Sequence, residues 1–554
     1  MLHAFILKGC FQDSVTLMVL SRDLSAMADV NRVSVMMGTP ANKDVFRETG
    51  LWHQMLAEAT PNDLCIVVDT ELADPAVLER VVDEVNTRLS QLAKGRRSAG
   101  YSVVRTWRRA RELMPDANLA LISVAGHYAF EPARQALESG CHVMMFSDNV
   151  SLEQELELKT MARDRGLIVM GPDCGTAIVN RAPLAFSNRI PAGPIAIVGA
   201  SGTGIQELAS QVTLLGGGIS HALGLGGRDL SAKVGGISAM TALDYVGRDA
   251  ASRVIAFVSK PPAPEVRARV LQALQDIGKP AVALFLGEKP ARRQIGNVYL
   301  AGTLDEAASL AVKLAGVDAQ TDALPDVRGR AVCGLYTGGT LAAEAALLLA
   351  EALGVEPDAA HAEGFMLRSG SHRIIDLGDD AYTRGRPHPM IDPSLRNDMI
   401  KALADDPSVG VLLLDIVLGY GGHLDPAGEA AGAVAALRAA RGDAAPIVVI
   451  ATLTGTAEDP QDRANQAAKL EEAGIVLAES VRAAVMLATH AIAPKPPAPA
   501  EAPALLKQAP AIVNIGLRGF ADDLASNGVH VVHQQWEPAA GGNERLQRLI
   551  SLLQ

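Results

Sequence analysis

The feature that most constrains the fold is a regular alternation of short apolar runs with longer amphipathic segments. IAIVGA is followed by SGTGIQELASQVTLL, and further along the chain AVCGLYTGG is followed by TLAAEAALLLAEAL. The runs have the length of strands, and the segments between them have helical periodicity. Because the connections are short, we expect parallel strands with right-handed crossovers. The sequence therefore predicts an α/β fold with several doubly wound parallel-sheet domains of Rossmann-like or flavodoxin-like type.

Changes in composition divide the chain into six predicted parts. PAGP marks one boundary, and the Pro/Ala-rich run PKPPAPAEAPALLKQ is typical of an extended linker. The last part is too short to build a core of its own, so we expect it to dock on the body or on a partner chain. The parts are an N-terminal α+β unit with a following helix (1–98), a βαβαβ segment (99–190), two α/β domains that open alike (191–327 and 328–493), the linker (494–508) and a short C-terminal βαβα tail that acts as a docking segment (509–554).

The net charge argues against a nucleic-acid partner. The chain has 50 Lys and Arg residues against 62 Asp and Glu residues, which gives a formal charge of −12. Such a balance repels polyanions. One basic cluster is interpreted as a solvated linker and helix face; it comprises residues 94–97 with Arg105, Arg108, Arg109 and Arg111.

Cysteine usage and hydropathy point to a reducing compartment. The five cysteines are widely spaced and form no CxxC pair, which predicts neither a disulfide framework nor a structural zinc site. No run of about 20 apolar residues occurs, and the N-terminus lacks the apolar core of a signal peptide. We expect a cytoplasmic protein with no membrane contact and no metal site.

Two strand–turn–helix junctions are the strongest candidates for an anion site. The unpaired amides at a helix N-terminus and the helix dipole attract negative charge, and glycine allows close approach of the backbone. Neither junction is a Walker A loop, because no GK[ST] follows. The alternative interpretation is a capped helix with glycine for close packing. The first junction comprises Ser201, Gly202, Thr203 and Gly204, and the second comprises Thr337, Gly338, Gly339 and Thr340.

Two further loops could bind the carboxylate of a substrate. In LGLGGRDLS, Gly226 and Gly227 precede Arg228, whose guanidinium could form paired hydrogen bonds with an oxyanion. RGRPHPMID carries Arg384, Arg386 and His388, a compact cationic patch suited to a small dicarboxylate or ureido acid. Tight turns with exposed charges are the alternative for both loops.

A third Gly-rich turn, GPDCGTAI, contains a cysteine. Cys174 has no histidine nearby in the sequence that could act as its base. A packed structural thiol is therefore the preferred interpretation. The sequence assigns no catalytic residue.

The same turns resemble those of a known superfamily. GPDCGT resembles the GPNCPG turn that closes the CoA-binding domain of NDP-forming acyl-CoA synthetases, the succinyl-CoA synthetase superfamily. IAIVGASGTGIQELA and GLGGRD resemble the first ligase domain of that superfamily, and LYTGGTLAAEA with RIIDLGDD resembles the second. The resemblance implies that 99–190 is a CoA-binding-like Rossmann remnant and that 191–327 and 328–493 are ligase-like. It also implies that the two junctions hold a phosphate between them.

The sequence departs from that superfamily at the residues that carry its chemistry. Family members relay phosphate through a histidine in a GHAGA-type loop, whereas this chain reads VIAFVSKPPAPEVRARV there. The N-terminal Gly-rich CoA cradle has no match, and no ATP-grasp domain is evident. An ordinary ATP-dependent CoA ligase is therefore chemically incomplete in this chain.

The pattern of departures resembles one family closely. KGCFQDSVTLM, MMGTPANK, PNDLCIVVDT, VSKPP and ATLTGTAEDPQ resemble FdrA proteins in order and nearly end to end. The resemblance implies one subunit of oxamate carbamoyltransferase, which acts in allantoin and purine catabolism. That enzyme phosphorolyses oxalurate to oxamate and carbamoyl phosphate. Two companion subunits from neighbouring genes and a downstream carbamate kinase are implied as partners.

Three hypotheses follow. The first is a carbamoyltransferase subunit with phosphate between the two junctions and the oxalurate carboxylate on Arg228 or on the loop of Arg384, Arg386 and His388. The second is an acid–CoA ligase subunit whose missing parts lie on another chain. The third is a non-catalytic scaffold or regulatory subunit. Phosphate and carbamoyl phosphate are expected as substrates in the first; no cofactor is assigned, and CoA, self-association, stoichiometry and direction of flux stay open.

Overall fold

A computed structural model describes the chain except for eight short gaps. The described residues are 1–10, 12, 14–61, 63–71, 75–95, 100–357, 362–494 and 501–538. Residues 495–500 of the predicted linker and the predicted last helix at 543–553 lie outside them. Among the described helices, none combines the length and apolarity needed to cross a lipid bilayer.

Short strands follow one another along the whole chain. They are β1 (Leu2–Leu7), β2 (Arg32–Met37), β3 (Leu64–Asp69), β4 (Ser102–Val104), β5 (Leu119–Ile122), β6 (His142–Met145), β7 (Val169–Met170), β8 (Thr176–Val179), β9 (Ala182–Ala185), β10 (Ala192–Gly199), β11 (Ile219–Gly224), β12 (Val254–Ser259), β13 (Ala281–Phe285), β14 (Gln294–Ile295), β15 (Val298–Ala301), β16 (Ala331–Tyr336), β17 (Phe365–Ser369), β18 (His372–Asp376), β19 (Val409–Val417), β20 (Val448–Thr454), β21 (Val476–Ala478), β22 (Ile512–Ile515) and β23 (Val531–Gln534).

Helices alternate with these strands. They are α1 (Ser14–Ser25), α2 (Pro40–Glu48), α3 (Pro75–Gly95), α4 (Trp107–Leu113), α5 (Gly126–Glu138), α6 (Leu152–Asp164), α7 (Gly202–Leu214), α8 (Ile237–Arg248), α9 (Pro264–Ile277), α10 (Leu304–Thr321), α11 (Gly339–Leu353), α12 (Asp380–Thr383), α13 (Ser394–Ala402), α14 (Pro426–Arg441), α15 (Arg463–Glu472), α16 (Val481–Ile492), α17 (Ala504–Lys507) and α18 (Arg518–Ser526), with 3₁₀ turns at Gln54–Glu58, Ala362–Gly364 and Leu403–Asp405.

Contacts within the chain define two compact units. Unit 1 contains Met1–Ser187, Gly224–Asp229 and the segment from Lys507 onward. Unit 2 contains Asn188–Leu223 and Leu230–Leu506. The predicted α/β fold class with parallel sheets and a small N-terminal α+β unit is confirmed.

The N-terminal sheet of unit 1 is antiparallel, with strand order β1-β3-β2. Its middle strand, β3, is apolar and buried from Leu64 to Val68, because both of its faces are covered. One face packs on α1 and α3 through Leu17 and Val81, and the other packs on α2 and the first 3₁₀ turn through Phe46 and Leu56. Two small cores thus stabilise a three-stranded sheet.

The second sheet of unit 1 is completed by the C-terminal segment. Its order is β4-β23-β22-β5-β6-β7, and all of its pairs are parallel. β22 pairs with β5 (Ile512 opposite Leu119), and β23 pairs with β4 (Val532 opposite Ser102). Two inner strands of a sheet that begins near residue 102 therefore come from the far end of the chain. A β8–β9 hairpin, which the sequence did not indicate, also belongs to this unit.

Unit 2 carries two sheets of the predicted type. In the first, β10, β12, β13 and β15 pair in parallel, and the short β14 lies antiparallel at the edge. In the second, the order is β17-β18-β16-β19-β20-β21, with an antiparallel β17 that the sequence did not predict. One face of the second sheet packs on α13 and α14, and α11 and α16 cover the other face.

Truncation tests the contribution of the C-terminal strands. A chain ending at residue 508 loses β22 and β23, and with them buried side chains such as Val513 and Ile515. Each such side chain contributes about 1.5–3 kcal/mol, and the sheet is split between β4 and β5. Calorimetry should show that the transition of unit 1 disappears while that of unit 2 remains. A chain ending at residue 538, which keeps both strands, is the control; two intact transitions in the shorter chain would contradict the described pairing.

Candidate functional site

The first junction is an open helix N-terminus. Ser201 is the N-cap of α7, and its Oγ accepts a hydrogen bond from the amide of Gly204 at 3.2 Å. In the part of the chain that the structure describes, the amides of Gly202 and Thr203 donate to no protein acceptor. The first turn contains no acidic residue, and Thr203 is exposed. Unpaired donors and the helix dipole at this end can bind an anion.

The strand beside this junction carries a serine and a lysine. β12 lies parallel to β10 with Gly199 opposite Val258, so both strands end at the same edge of the sheet. Ser259 is fully buried, and its Oγ has no hydrogen-bond partner among the described residues. Lys260 follows and is exposed. A buried hydroxyl and an exposed cation therefore stand at the strand end beside the first junction.

The second junction already holds a carboxylate. Asp415 of β19 accepts from the Thr337 amide at 2.7 Å, from Thr337 Oγ1 at 3.0 Å and from the Gly338 amide at 2.8 Å. The prediction of a phosphate cradle across all four residues is therefore wrong for Thr337 and Gly338. Their donors are occupied by an internal anion, and the free amides in this turn are those of Gly339 and Thr340.

Asp415 is held by a buried arginine. Asp415 is fully buried, and Arg396 of α13 is 2% exposed. Arg396 Nη1 donates to the Asp415 carbonyl oxygen at 2.7 Å and lies 3.4 Å from its Oδ1. Burial lowers the pKa of Arg396, and the neighbouring carboxylate opposes that shift. This pair fixes the turn before α11.

A second carboxylate, Asp376 at the end of β18, faces the start of α11. Its Oδ1 accepts from the Gly378 amide at 2.8 Å, and its side chain is 8% exposed. A β-carbon built on Gly339 would lie 2.7 Å from Asp376 Oδ2. Desolvation is the largest influence on this carboxyl group and raises its pKa.

His388 lies on the same side of the junction. Its Nδ1 accepts from the Met390 amide at 3.2 Å, so Nε2 carries the proton in the neutral ring. A β-carbon on Gly378 would lie 2.9 Å from His388 Nε2 and 3.0 Å from Asp376 Oδ1. The structure thus brings the predicted Gly339 and His388 together around Asp376, which the sequence did not single out.

The three candidate arginines differ in whether they already form an ion pair. Arg384 and Arg386 are exposed, and in the described part of the chain neither forms an ion pair. They stay available for a carboxylate. Arg228 is already paired, since its Nη2 lies 2.9 Å from Glu155 Oε2 and donates to the Val150 carbonyl at 2.7 Å. The predicted role of Arg228 in binding a substrate oxyanion stays a prediction, and its side chain is 45% exposed beside Glu155.

The loop that carries Arg228 is fixed to unit 1 by close packing. Gly226 has φ +81°, and a β-carbon there would lie 2.2 Å from the Pro172 carbonyl oxygen. A β-carbon on Gly227 would lie 3.3 Å from Asp173 Oδ2. Both glycines thus have a packing role within this unit.

A buried ionic cluster anchors the same loop to α6. Lys159 Nζ lies 2.7 Å from Asp229 Oδ1 and 3.0 Å from Glu155 Oε1, and it donates to the Leu225 carbonyl at 3.1 Å. The side chains of all three ionic residues are at most 1% exposed. With Arg228 the cluster balances two positive and two negative charges.

Cys174 is a structural thiol. It is 2% exposed, and its Sγ lies 3.6 Å from the Thr176 carbonyl oxygen. Burial raises the pKa of this thiol to about 12, so it stays protonated at neutral pH. A neutral buried thiol is a poor nucleophile, as the sequence interpretation expected.

Three family models match the chain. A model described as AllF, heavy metal-associated domain, matches residues 1–103, a CoA binding domain matches 192–287, and a CoA-ligase model matches 335–491. The CoA binding match falls within the part predicted as the first ligase-like domain, and not within 99–190. Among the described residues, no group of three or more His, Cys, Asp or Glu side chains is placed to hold a metal ion.

A curated relative covers most of the chain. The uncharacterized protein YahF of Escherichia coli K12 is 39% identical over 491 residues, which span 84% of this chain and 94% of YahF. The chain belongs to the FdrA/AllF-type family. Members of this FdrA family combine the AllF-type N-terminal domain with a succinyl-CoA synthetase-like architecture.

Solved structures also match this FdrA family member. PH0766 from Pyrococcus horikoshii OT3 is 17% identical, with a TM-score of 0.36, over 68% of this chain and 84% of that chain. The apo dinucleotide-forming acetyl-coenzyme A synthetase 1 of Ca. Korarchaeum cryptofilum is 17% identical, with a TM-score of 0.39 and the same coverages. An ATP citrate lyase of Methanothrix soehngenii is 19% identical over 40% of this chain and 42% of the lyase, with a TM-score of 0.33.

Removing the lysine tests the buried ionic cluster. Lys159→Met leaves Asp229 and Glu155 buried with too little positive charge, which should lower the free energy of unfolding by about 3–5 kcal/mol. Chemical denaturation monitored by circular dichroism would measure the loss. Arg163→Met, one turn along α6 in an exposed pair with Asp164, should change it by about 1 kcal/mol or less. Equal effects in the two variants would show that the cluster does not stabilise the fold.

Proposed function

We propose that this chain is a subunit of an oxamate carbamoyltransferase and binds inorganic phosphate at the first junction. The observation that carries the proposal is the contrast between the two helix N-termini. The first has free amides and no acidic residue in its first turn, whereas the second is occupied by Asp415 and bordered by Asp376. A phosphate is attracted by the former and repelled by the latter.

The residues at the first junction suit a phosphate that reacts directly. The amides of Gly202 and Thr203 bind its oxygens, and Lys260 on the neighbouring strand end adds a positive charge. No histidine occurs between residues 254 and 267 to take up a phosphoryl group. Direct attack needs positioning and charge stabilisation, which preorganised amides and a cation supply.

The proposed reaction balances without a further reactant. An oxygen of hydrogen phosphate attacks the ureido carbonyl carbon of oxalurate and forms a C–O bond. The bond from that carbon to the internal nitrogen breaks, and the departing nitrogen receives the proton that hydrogen phosphate gives up. The products are carbamoyl phosphate and oxamate. Arg384 and Arg386, exposed and unpaired among the described residues, are available for the substrate carboxylate.

The resemblance to FdrA proteins extends the proposal to partners. We expect activity only with the two companion subunits, and a carbamate kinase consumes the carbamoyl phosphate. The general acid–base groups would then be shared between this chain and its companions.

The match to CoA binding and CoA-ligase models favours a second candidate, an acid–CoA ligase subunit. That candidate requires CoA to bind to the chain or to its complex with the companions. Calorimetric titration with CoA distinguishes the two: binding coupled to acyl-CoA formation from ATP supports the ligase.

A charge placed in the first junction tests the phosphate site. Thr203→Asp keeps a residue that favours a helix N-terminus but repels phosphate, so phosphate-dependent turnover should fall at least about 100-fold. Carbamoyl phosphate is detected in the full complex through carbamate kinase and ADP. Thr203→Asn, of similar size and neutral, is the control and should retain most activity. Full turnover in Thr203→Asp would exclude phosphate from this junction.

A further inference from the structure

A row of buried polar side chains crosses the second sheet of unit 2 at its carboxyl edge. Tyr336 of β16 is opposite Asp376 of β18, and Asp415 of β19 is opposite Thr452 of β20. Leu335 is opposite Leu414, so Tyr336 and Asp415 are also neighbours. Residues in register on parallel strands project from the same face. All four are at most 8% exposed. Polar side chains are seldom buried on a sheet face that helices cover, so this row is unusual.

Several polar atoms in this row have no partner among the described residues. Tyr336 Oη and Thr452 Oγ1 make no hydrogen bond. Asp376 uses only Oδ1, for the Gly378 amide, and no cation pairs with its carboxylate in the described part. Asp376 Oδ2 is thus a free acceptor that faces the first turn of α11. Buried polar groups normally have partners, so the unpartnered Tyr336 and Thr452 hydroxyls, with the free Asp376 Oδ2 beside them, leave hydrogen-bonding capacity for a ligand.

Donors lie on the other side of the same space. The amides of Gly339 and Thr340 at the start of the 15-residue helix α11 donate to no protein acceptor in the described part. His388 presents the protonated Nε2 because Nδ1 accepts from Met390. Gly339 and Thr340 are not buried, so a ligand can reach them.

Two glycines allow the Asp376 carboxylate to approach the start of α11 and the turn at Gly378 closely. A β-carbon on Gly339 would come within 2.7 Å of Asp376 Oδ2, and one on Gly378 would come within 3.1 Å of three different residues. Neither glycine has a positive φ, so backbone conformation does not require glycine at these positions. Room beside Asp376 is the physical reason for both.

We propose that the second junction binds a neutral carbamoyl or ureido group through Asp376, the first amides of α11 and His388. An amide N–H donates to Asp376 Oδ2, while the adjacent carbonyl oxygen accepts from the Gly339 or Thr340 amide. A carboxylate or phosphate in the same place meets the negative charges of Asp376 and Asp415. The identity of the ligand as a ureido acid rests on the proposed function, whereas the preference for amide over anion rests on this geometry.

Two probes that differ in one group test the preference without turnover. Oxamate and oxalate share a carboxylate, but oxamate has an amide where oxalate has a second carboxylate. Calorimetric titration of the full chain, alone and with its companion subunits, should show oxamate binding at least about tenfold tighter than oxalate. Equal affinities, tighter binding of oxalate, or no oxamate binding in either preparation would overturn the proposal.

Two variants, each with a matched control, assign the preference to Asp376 and the start of α11. Asp376→Asn removes the negative charge, so the ratio of oxalate to oxamate dissociation constants should fall to about 1–2. Asp380→Asn, an exposed aspartate in the same segment, should leave the ratio unchanged. Gly339→Ala should weaken oxamate binding by filling the space, whereas Gly316→Ala, with no atom within 4 Å of the new β-carbon, should not. An unchanged ratio in Asp376→Asn together with unchanged oxamate binding in Gly339→Ala would place the amide elsewhere.

The test of the amide site can succeed or fail independently of the test of the carbamoyltransferase function. Amide preference without carbamoyl phosphate formation leaves the site in place and removes the carbamoyltransferase assignment. Carbamoyl phosphate formation that survives Asp376→Asn with an unchanged oxamate-to-oxalate ratio removes the site and leaves the reaction.

Discussion

The buried carboxylate of Asp415 is the interaction on which the chemistry of unit 2 depends. It accepts from two backbone amides and a hydroxyl at the turn before α11, and the buried Arg396 compensates its charge. Hydrogen bonds to an ionised acceptor are roughly twice as strong as neutral ones, so the turn is rigid. Because the Thr337 and Gly338 amides donate to Asp415, they are not available to an anion from outside the protein.

The two junctions have similar sequences but differ in the charges that surround their free amides. The Ser201 junction keeps free amides with no acidic residue in its first turn, and Lys260 ends the adjacent strand. The Gly339 junction combines free amides with the carboxylates of Asp376 and Asp415. One environment is suited to an anion and the other to a group that both donates and accepts. In the proposed reaction, phosphate occupies the first site and the ureido group occupies the second.

Local patterns made much of this predictable. The strands and helices around both junctions, the N-cap of Ser201 and the structural role of Cys174 follow from short-range periodicity and composition. The interaction partners of the junction residues could not be predicted in this way, because they come from distant segments of the chain. Asp415 reaches Thr337 across 78 residues, and β22 inserts beside β5 across nearly 400. The pairing of Arg228 with Glu155 could not be predicted, because Glu155 lies on another element. A lone aspartate within VGVLLLDIVLGY was the one available signal for Asp415, since an uncompensated charge in a buried strand requires a partner.

We infer that the two junctions differ in their affinity for phosphate. Titration of inorganic phosphate into the full chain, followed by calorimetry, tests it with two matched variants, Thr203→Asp and Thr340→Asp, each at the second helical position of its helix. We predict that Thr203→Asp abolishes phosphate binding and that Thr340→Asp leaves it within about twofold of the unmodified chain. Loss of binding in Thr340→Asp with retention in Thr203→Asp would contradict the account.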